Sequence, residues 1–261
     1  MFDLLCAFVV RSPRLFVIRM PVSEAYCIDC MEYMRSIPDK FFDLAVVDPP
    51  YGISATKMNM GTAHGNQSTA TRLRKGRLNS GSGKLKRTAL QRMPADWDYE
   101  QPGPDYFQEL FRVSRNQIIW GGNYFQLPPT RGIICWDKLQ RWENFSQIEL
   151  AWTSFNCPAK IVRISNRGGA NNETRIHPTQ KPVNLYAWIY EKYARDGDRI
   201  LDTHMGSGSS RIAAFFAGLD YYGTEIDPVY FKDSQTRFER ACKGIICTEN
   251  ETIIQPSLFE L

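Results

Sequence analysis

Two stretches of this sequence hold reactive groups where a merely structural segment has no need of them. The first is Asp48-Pro49-Pro50-Tyr51, which follows the apolar run Ala45-Val46-Val47. Two consecutive prolines fix φ at both positions and remove two backbone donors. They leave a stiff loop that offers a carboxylate, carbonyls and an aromatic ring to something outside the chain. The second is Asp202-Thr203-His204-Met205-Gly206-Ser207-Gly208, lying between an apolar run and a helix start. A Gly-rich turn lets a ligand approach the backbone closely, and its amides favour a carboxylate or phosphate. Arg211 stands where a dinucleotide fingerprint needs its third glycine, so a nicotinamide site is disfavoured. About twenty residues on, Glu225 ends an apolar run where an acid holds ribose hydroxyls. Helix capping would explain Asp202 alone, and a surface strand end Glu225 alone. Together they point to a nucleoside-bearing cofactor with a carboxylate rather than a pyrophosphate.

Positioning such groups takes strands that deliver them at their carboxyl ends. Asp43–Val47, Gln117–Trp120, Ile133–Trp136, Ile148–Thr153, Arg199–Leu201 and Tyr221–Glu225 read as short strands, several continuously apolar. Continuous apolar strands imply a sheet covered by helices on both faces. Helical patterns fall at Cys30–Ser36, Pro104–Val113, Pro182–Ala194, Ser209–Ala217 and Pro228–Cys242, the last announced by Asp227 and Pro228. This alternation predicts a doubly wound, mostly parallel α/β sheet. No internal repeat is present.

Charge is distributed unevenly along the 261 residues. The net charge is +4, yet Pro49 to Ala95 contains no acid and nine basic residues, leaving 23 basic against 28 acidic residues elsewhere. That segment, with its Gly, Ser, Thr and Asn content, reads as a mobile loop that contacts phosphates rather than a solvated linker. Its candidate contacts are Arg72, Arg74, Lys75, Arg77, Lys84, Lys86 and Arg87. Seven cysteines, an odd number without a disulfide-like array, suit a reducing cytoplasm. Cys27-Ile28-Asp29-Cys30 is a lone CxxC without a second ligand pair, and no metal site is expected. The run Leu4–Val10 is far too short to span a bilayer and lacks the flanks of a secretory signal. Residues 1–19 read as an extension before Met20, residues 20–247 as the functional domain, and residues 248–261 as a tail.

These motifs resemble the amino-group DNA methyltransferases that use S-adenosylmethionine. The resemblance rests on DPPY at Asp48–Tyr51, on HPTQKP at His177–Pro182, and on the Asp202 to Gly208 turn with its strand-end Glu225. It extends from about Tyr26 to Cys242, and the motif order is similar to the β-class permutation. QIIWGGNYF at Gln117–Phe125 and IICWDK at Ile133–Lys138 resemble phage and prophage members. One departure is His204, where the family usually has Phe.

The resemblance implies a Rossmann-like methyltransferase fold in a bacterial cytoplasm, and methylation of the N6 amine of adenine in double-stranded DNA. That amine is a poor nucleophile because its lone pair is delocalised into the ring. Asp48 and the carbonyl of Pro49 would accept its two N–H bonds, and Pro49 and Pro50 would hold those acceptors rigid. Tyr51 would stack on the flipped base. Cofactor contacts carried over are Asp202, Gly206, Ser207, Gly208 and Glu225, with His177, Thr179 and Lys181. Asp29 would touch the cofactor's adenine, or else cap the helix that follows it. Residues 155–176 match the target-recognition region, with Lys160, Arg163, Arg167 and Arg175 as DNA contacts. N4-cytosine methylation shares the chemistry but more often shows Ser at position 48. Cytosine C5 methylation needs a Cys after Pro, and the chain has no such pair. A DNA-binding relic without activity is the reading from another class, and intact DPPY and GSG segments speak against it. The tail holds Gln255-Pro256-Ser257-Leu258-Phe259, similar to the peptide that docks bacterial DNA enzymes on the replication sliding clamp. A homodimer is compatible with this reading, and no membrane partner is expected.

Overall fold

The computed structural model describes residues 21–53, 100–140, 146–166, 175–242, 245–247 and 252–254. The basic segment, Arg167 and the Gln255–Phe259 peptide lie outside those residues.

Eight strands form one sheet in the order β1-β8-β7-β2-β3-β5-β4-β6. They are β1 (Ser23–Tyr26), β2 (Phe42–Val47), β3 (Ser114–Trp120), β4 (Ile133–Asp137), β5 (Ile148–Thr153), β6 (Lys160–Arg163), β7 (Arg199–Asp202) and β8 (Asp220–Thr224). All neighbours pair in parallel except β5, which runs against both β3 and β4. A further antiparallel pair, β9 (Ile245–Cys247) with β10 (Thr252–Ile254), reaches into the segment expected as a polar tail.

Among the described residues, five helices cover the sheet: α1 (Cys30–Arg35), α2 (Pro104–Val113), α3 (Val183–Tyr193), α4 (Ser209–Phe216) and α5 (Pro228–Cys242). Pleat alternation sends successive β2 side chains to opposite faces. Leu44 and Val46 pack with α3 and α4 residues such as Leu185, Ile189 and Ile212, while Ala45 and Val47 pack with Tyr106, Phe107, Leu110 and Val113 of α2. A strand buried on both faces has no polar side to show, which is why β2 reads as an apolar run from Leu44 and β3 from Ile118. Helix α2 starts at Pro104, has Asp105 in its first turn and Arg112 in its last, and so complements its own dipole.

The sequence leaves β1 and β6 unread. Both are four residues long and mix polar with apolar side chains, SEAY and KIVR, so neither carries the apolar signature of its neighbours. Strand β6 lies within residues 155–176 and extends the sheet beyond β4.

Candidate active site

Parallel pairing sets the chemical groups side by side. Ala45 is level with Leu201, Asp202 with Gly223, and Tyr26 with Thr224. The carboxyl ends of β2, β7, β8 and β1 therefore open on one edge, carrying Asp48, Asp202, Glu225 and the Cys27–Asp29 turn. That is where a doubly wound sheet binds its ligands.

At the end of β2, Asp48 sits in a network of charges. The Tyr51 hydroxyl donates to Asp48 Oδ1 at 2.6 Å, and Lys181 Nζ donates to Asp48 Oδ2 at 2.6 Å. The same ammonium is 2.6 Å from Glu149 Oε1, and Lys138 Nζ is 2.8 Å from Glu149 Oε2. Lys181 is only 4% exposed, and its ammonium lies 5.2 Å from the centroid of the buried Trp120 ring. Burial raises the Asp48 carboxyl above its ordinary range, and Lys181 only partly offsets that. For Glu149 burial also pushes upward, but the two lysines win and hold it down at about 2. Burial opposes the Lys181 charge as well, and the two carboxylates overcome it, so its pKa is raised.

Lys181, expected among the cofactor contacts, directs its ammonium at Asp48 and Glu149. Glu149 and Lys138 are functional candidates that sequence reasoning missed. The one local signal is an acid inside the apolar strand Ile148-Glu149-Leu150.

The turn after β3 sets the position of Tyr51. Its ring stacks on Tyr124, with centroids 5.0 Å apart and planes 15° from parallel. Gly121 makes that possible, because a Cβ there would come within 2.2 Å of the Tyr51 ring. The φ of Gly121, +68°, is also one that L side chains rarely adopt. Among the described residues, then, the Tyr51 ring rests on protein and its hydroxyl on Asp48.

The second half of the site is the turn after β7. Gly206 and Gly208 hold φ of +51° and +73°. Glu225 ties the turn down: its Oε2 accepts from the Gly206 amide at 2.8 Å and its Oε1 from the Asp227 amide at 2.9 Å. Asp202 accepts from the Tyr221 hydroxyl at 3.0 Å and the His204 amide at 3.2 Å. Ser207 Oγ bonds Ser209 Oγ at 3.2 Å. His177 faces Gly206, bonds Thr179 Oγ1 through Nδ1 at 3.1 Å, and lies edge-on to Tyr230 with centroids 4.4 Å apart. Burial drops both His177 and His204 to about 4. His204 is thus a neutral ring at neutral pH, set against Tyr106 at 5.5 Å. That makes it a fair substitute for the family's Phe. Asp29 takes its helix-cap role, accepting from the amides of Met31 and Glu32 at 2.8 and 3.1 Å.

Of the expected DNA contacts, Arg163 and Lys160 lie on β6. Arg163 is exposed and 3.6 Å from Asp137, and Lys160 lies over the Tyr193 ring. Arg175 donates to the Asn166 carbonyl. No helix among the described residues is long and apolar enough to cross a membrane.

Asp202 yields a stability prediction. Burial raises its carboxyl to about 7. A carboxyl raised in the folded state takes up protons that the unfolded chain has already released. Its ionisation therefore costs stability in full above pH 7, and the cost is relieved as pH falls towards the ordinary carboxylate range. Asp202→Asn is expected to melt about 5 °C above the parent at pH 8, with the gap falling to roughly half by pH 5, in thermal denaturation without ligand.

Parts of the chain match known proteins. Residues 119–236 match the model of the N6/N4 DNA methylase family. The chain is 26% identical over 156 residues to the Type II methyltransferase M2.DpnII of Streptococcus pneumoniae, covering 60% of this chain and 51% of that protein. It is 25% identical over 142 residues to the Type II methyltransferase M2.MboI of Moraxella bovis, covering 54% and 47%. The matched part thus spans about half the length of those relatives. The PvuII DNA methyltransferase, described as cytosine-N4-specific, superposes with a TM-score of 0.52 at 13% identity, covering 84% of this chain and 87% of that one. That likeness establishes the fold as that of a DNA methyltransferase. Over residues 119–236 the chain is thus similar to the N6/N4 DNA methylase family, and the paired strand-end acids fall in the same fold.

Proposed function

We propose that the chain methylates the N6 amine of adenine in double-stranded DNA, with S-adenosylmethionine as donor. The observation that carries this reading is Asp48 on a proline-stiffened loop, one strand away from the Gly206–Gly208 turn. The turn suits a polar, nucleoside-bearing ligand. Beside His177, which faces Gly206, the buried Tyr230 hydroxyl has no hydrogen-bond partner among the described residues. Such an orphan invites a ligand atom. Asp202, the turn amides and Glu225 are the groups placed to hold the ligand.

When bound, S-adenosylmethionine supplies a sulfonium methyl whose C–S bond breaks as the new C–N bond forms. Everything else falls to the chain's own residues. Asp48 and the Pro49 carbonyl accept the two N–H bonds of the amine and localise its lone pair. The prolines hold those acceptors in place before the base arrives, so little reorganisation is needed. Tyr51 offers a ring face to a base that has left the duplex. The proton that the nitrogen sheds is then already held against Asp48. An aspartate at position 48, rather than serine, supports adenine over cytosine.

The test is to express the protein in a methylation-deficient bacterium and analyse the digested DNA by mass spectrometry. N6-methyladenine is the expected product. N4-methylcytosine would overturn the choice of base, and unmodified DNA would overturn the reaction.

A further inference from the structure

Both Asp48 oxygens already carry a partner, Tyr51 on Oδ1 and Lys181 on Oδ2. Each oxygen keeps a second lone pair, but one that already accepts from a donor is a weaker acceptor for an incoming amine. A phenol has one proton to donate, and the Tyr51 hydroxyl has two acceptors in reach: Asp48 Oδ1 at 2.6 Å and Glu149 Oε1 at 2.8 Å. Turning that proton from one to the other moves no heavy atom. We propose that Glu149 is a positioning residue that takes over the Tyr51 hydroxyl and so releases Asp48 Oδ1 for the substrate N–H. This rests on the methyltransferase reading above.

The surroundings are built for the exchange. Glu149 Oε1 has two lone pairs, one for Lys181 and one for Tyr51, while Lys138 occupies Oε2. Lys181 stays on Asp48 Oδ2 throughout, so the carboxylate keeps a charge partner while Oδ1 is vacated. Glu149 remains ionised across the working pH range, because its two lysines outweigh its burial. Tyr51 is held during the exchange by its stack on Tyr124 and by its close approach to Gly121.

The experiment measures methyl transfer by the full-length chain to unmethylated genomic DNA, in the parent, in Glu149→Gln, in Tyr51→Phe and in the double variant. Glu149→Gln is expected to lower kcat about tenfold, with KM for DNA within about twofold, since an ionised acceptor is replaced by a weaker neutral one. In the Tyr51→Phe background, where no hydroxyl occupies Oδ1, the same change is expected to cost about threefold or less. Equal losses in both backgrounds would overturn the exchange and leave Glu149 a structural partner of Lys181. A loss confined to KM would overturn it too. Melting curves and DNA affinity by fluorescence anisotropy accompany each variant. If the amide variant does not fold, Glu149→Asp, which keeps the charge but withdraws it from Tyr51, takes its place with the same two outcomes. A parent protein that transfers no methyl group removes the methyltransferase reading and the exchange together. An active parent with no coupling between positions 51 and 149 removes the exchange alone.

Discussion

Asp48→Ala is expected to lower methyl transfer by about a thousandfold while leaving affinity for S-adenosylmethionine within about twofold. The split comes from the layout. Asp48 belongs to the network of Tyr51, Lys181, Glu149 and Lys138, whereas the turn after β7 is tied down by Glu225 and has no bond to Asp48 among the described residues. The alanine variant should also fold, because Lys181 keeps Glu149 as its ion partner. Single-turnover kinetics and calorimetric titration of the cofactor measure the two halves, and a turnover near that of the parent would sink the mechanism. The parent's pH profile carries the same signature. In the proposed mechanism only an ionised Asp48 accepts the amine, and burial raises its pKa. Activity should therefore fall on acidification at a pH above the ordinary carboxylate range.

Lys181→Met should have the largest effect on stability. It leaves two buried carboxylates near one another with only Lys138 in attendance. Removing one member of a buried ion network costs about 3 kcal/mol or more, which for a chain of this size corresponds to a fall of roughly 10 °C in Tm. The pH dependence has a definite sign. Without the lysine, Asp48 rises further above its unfolded value, and a raised acid costs stability at high pH and is relieved by protonation. The deficit should thus be greater at pH 8 than at pH 5. Thermal melts at the two values decide it, and a deficit that grows on acidification would contradict the network.

How much of this was legible in the residues depended on how far apart the interacting groups lie. Asp48 with its prolines, and the Asp202 to Gly208 turn, are contiguous, and their meaning is carried by backbone restriction and by strand ends. Strands β2, β3 and β7 could be read because double-sided burial leaves apolar residues along them, and β5 could be read despite the acid at its second position. The short mixed strands β1 and β6 could not, since pairing rather than composition makes them strands. The ion pairs of Lys181 were not legible for the same reason. Its partners are 133 residues away at Asp48 and on β5 at Glu149, and nothing local to HPTQKP shows that β5 arrives with an acid.

The reversed direction of β5 has a consequence for what the chain tolerates. A parallel strand brings functional groups to the site edge at its exit, where loop changes are absorbed easily. Because β5 is antiparallel, it reaches that edge at its entry, with Glu149 its second residue. Glu149 lies level with Trp136, and Ala151 with Trp120. Sliding β5 by one position would send Glu149 to the opposite face and bring an aliphatic neighbour, Ile148 or Leu150, against Lys181. Lengthening the connection ahead of β5 leaves that alignment alone, whereas one residue gained or lost inside the strand inverts it. The same strand thus couples the parity of its length to the charge balance around Asp48.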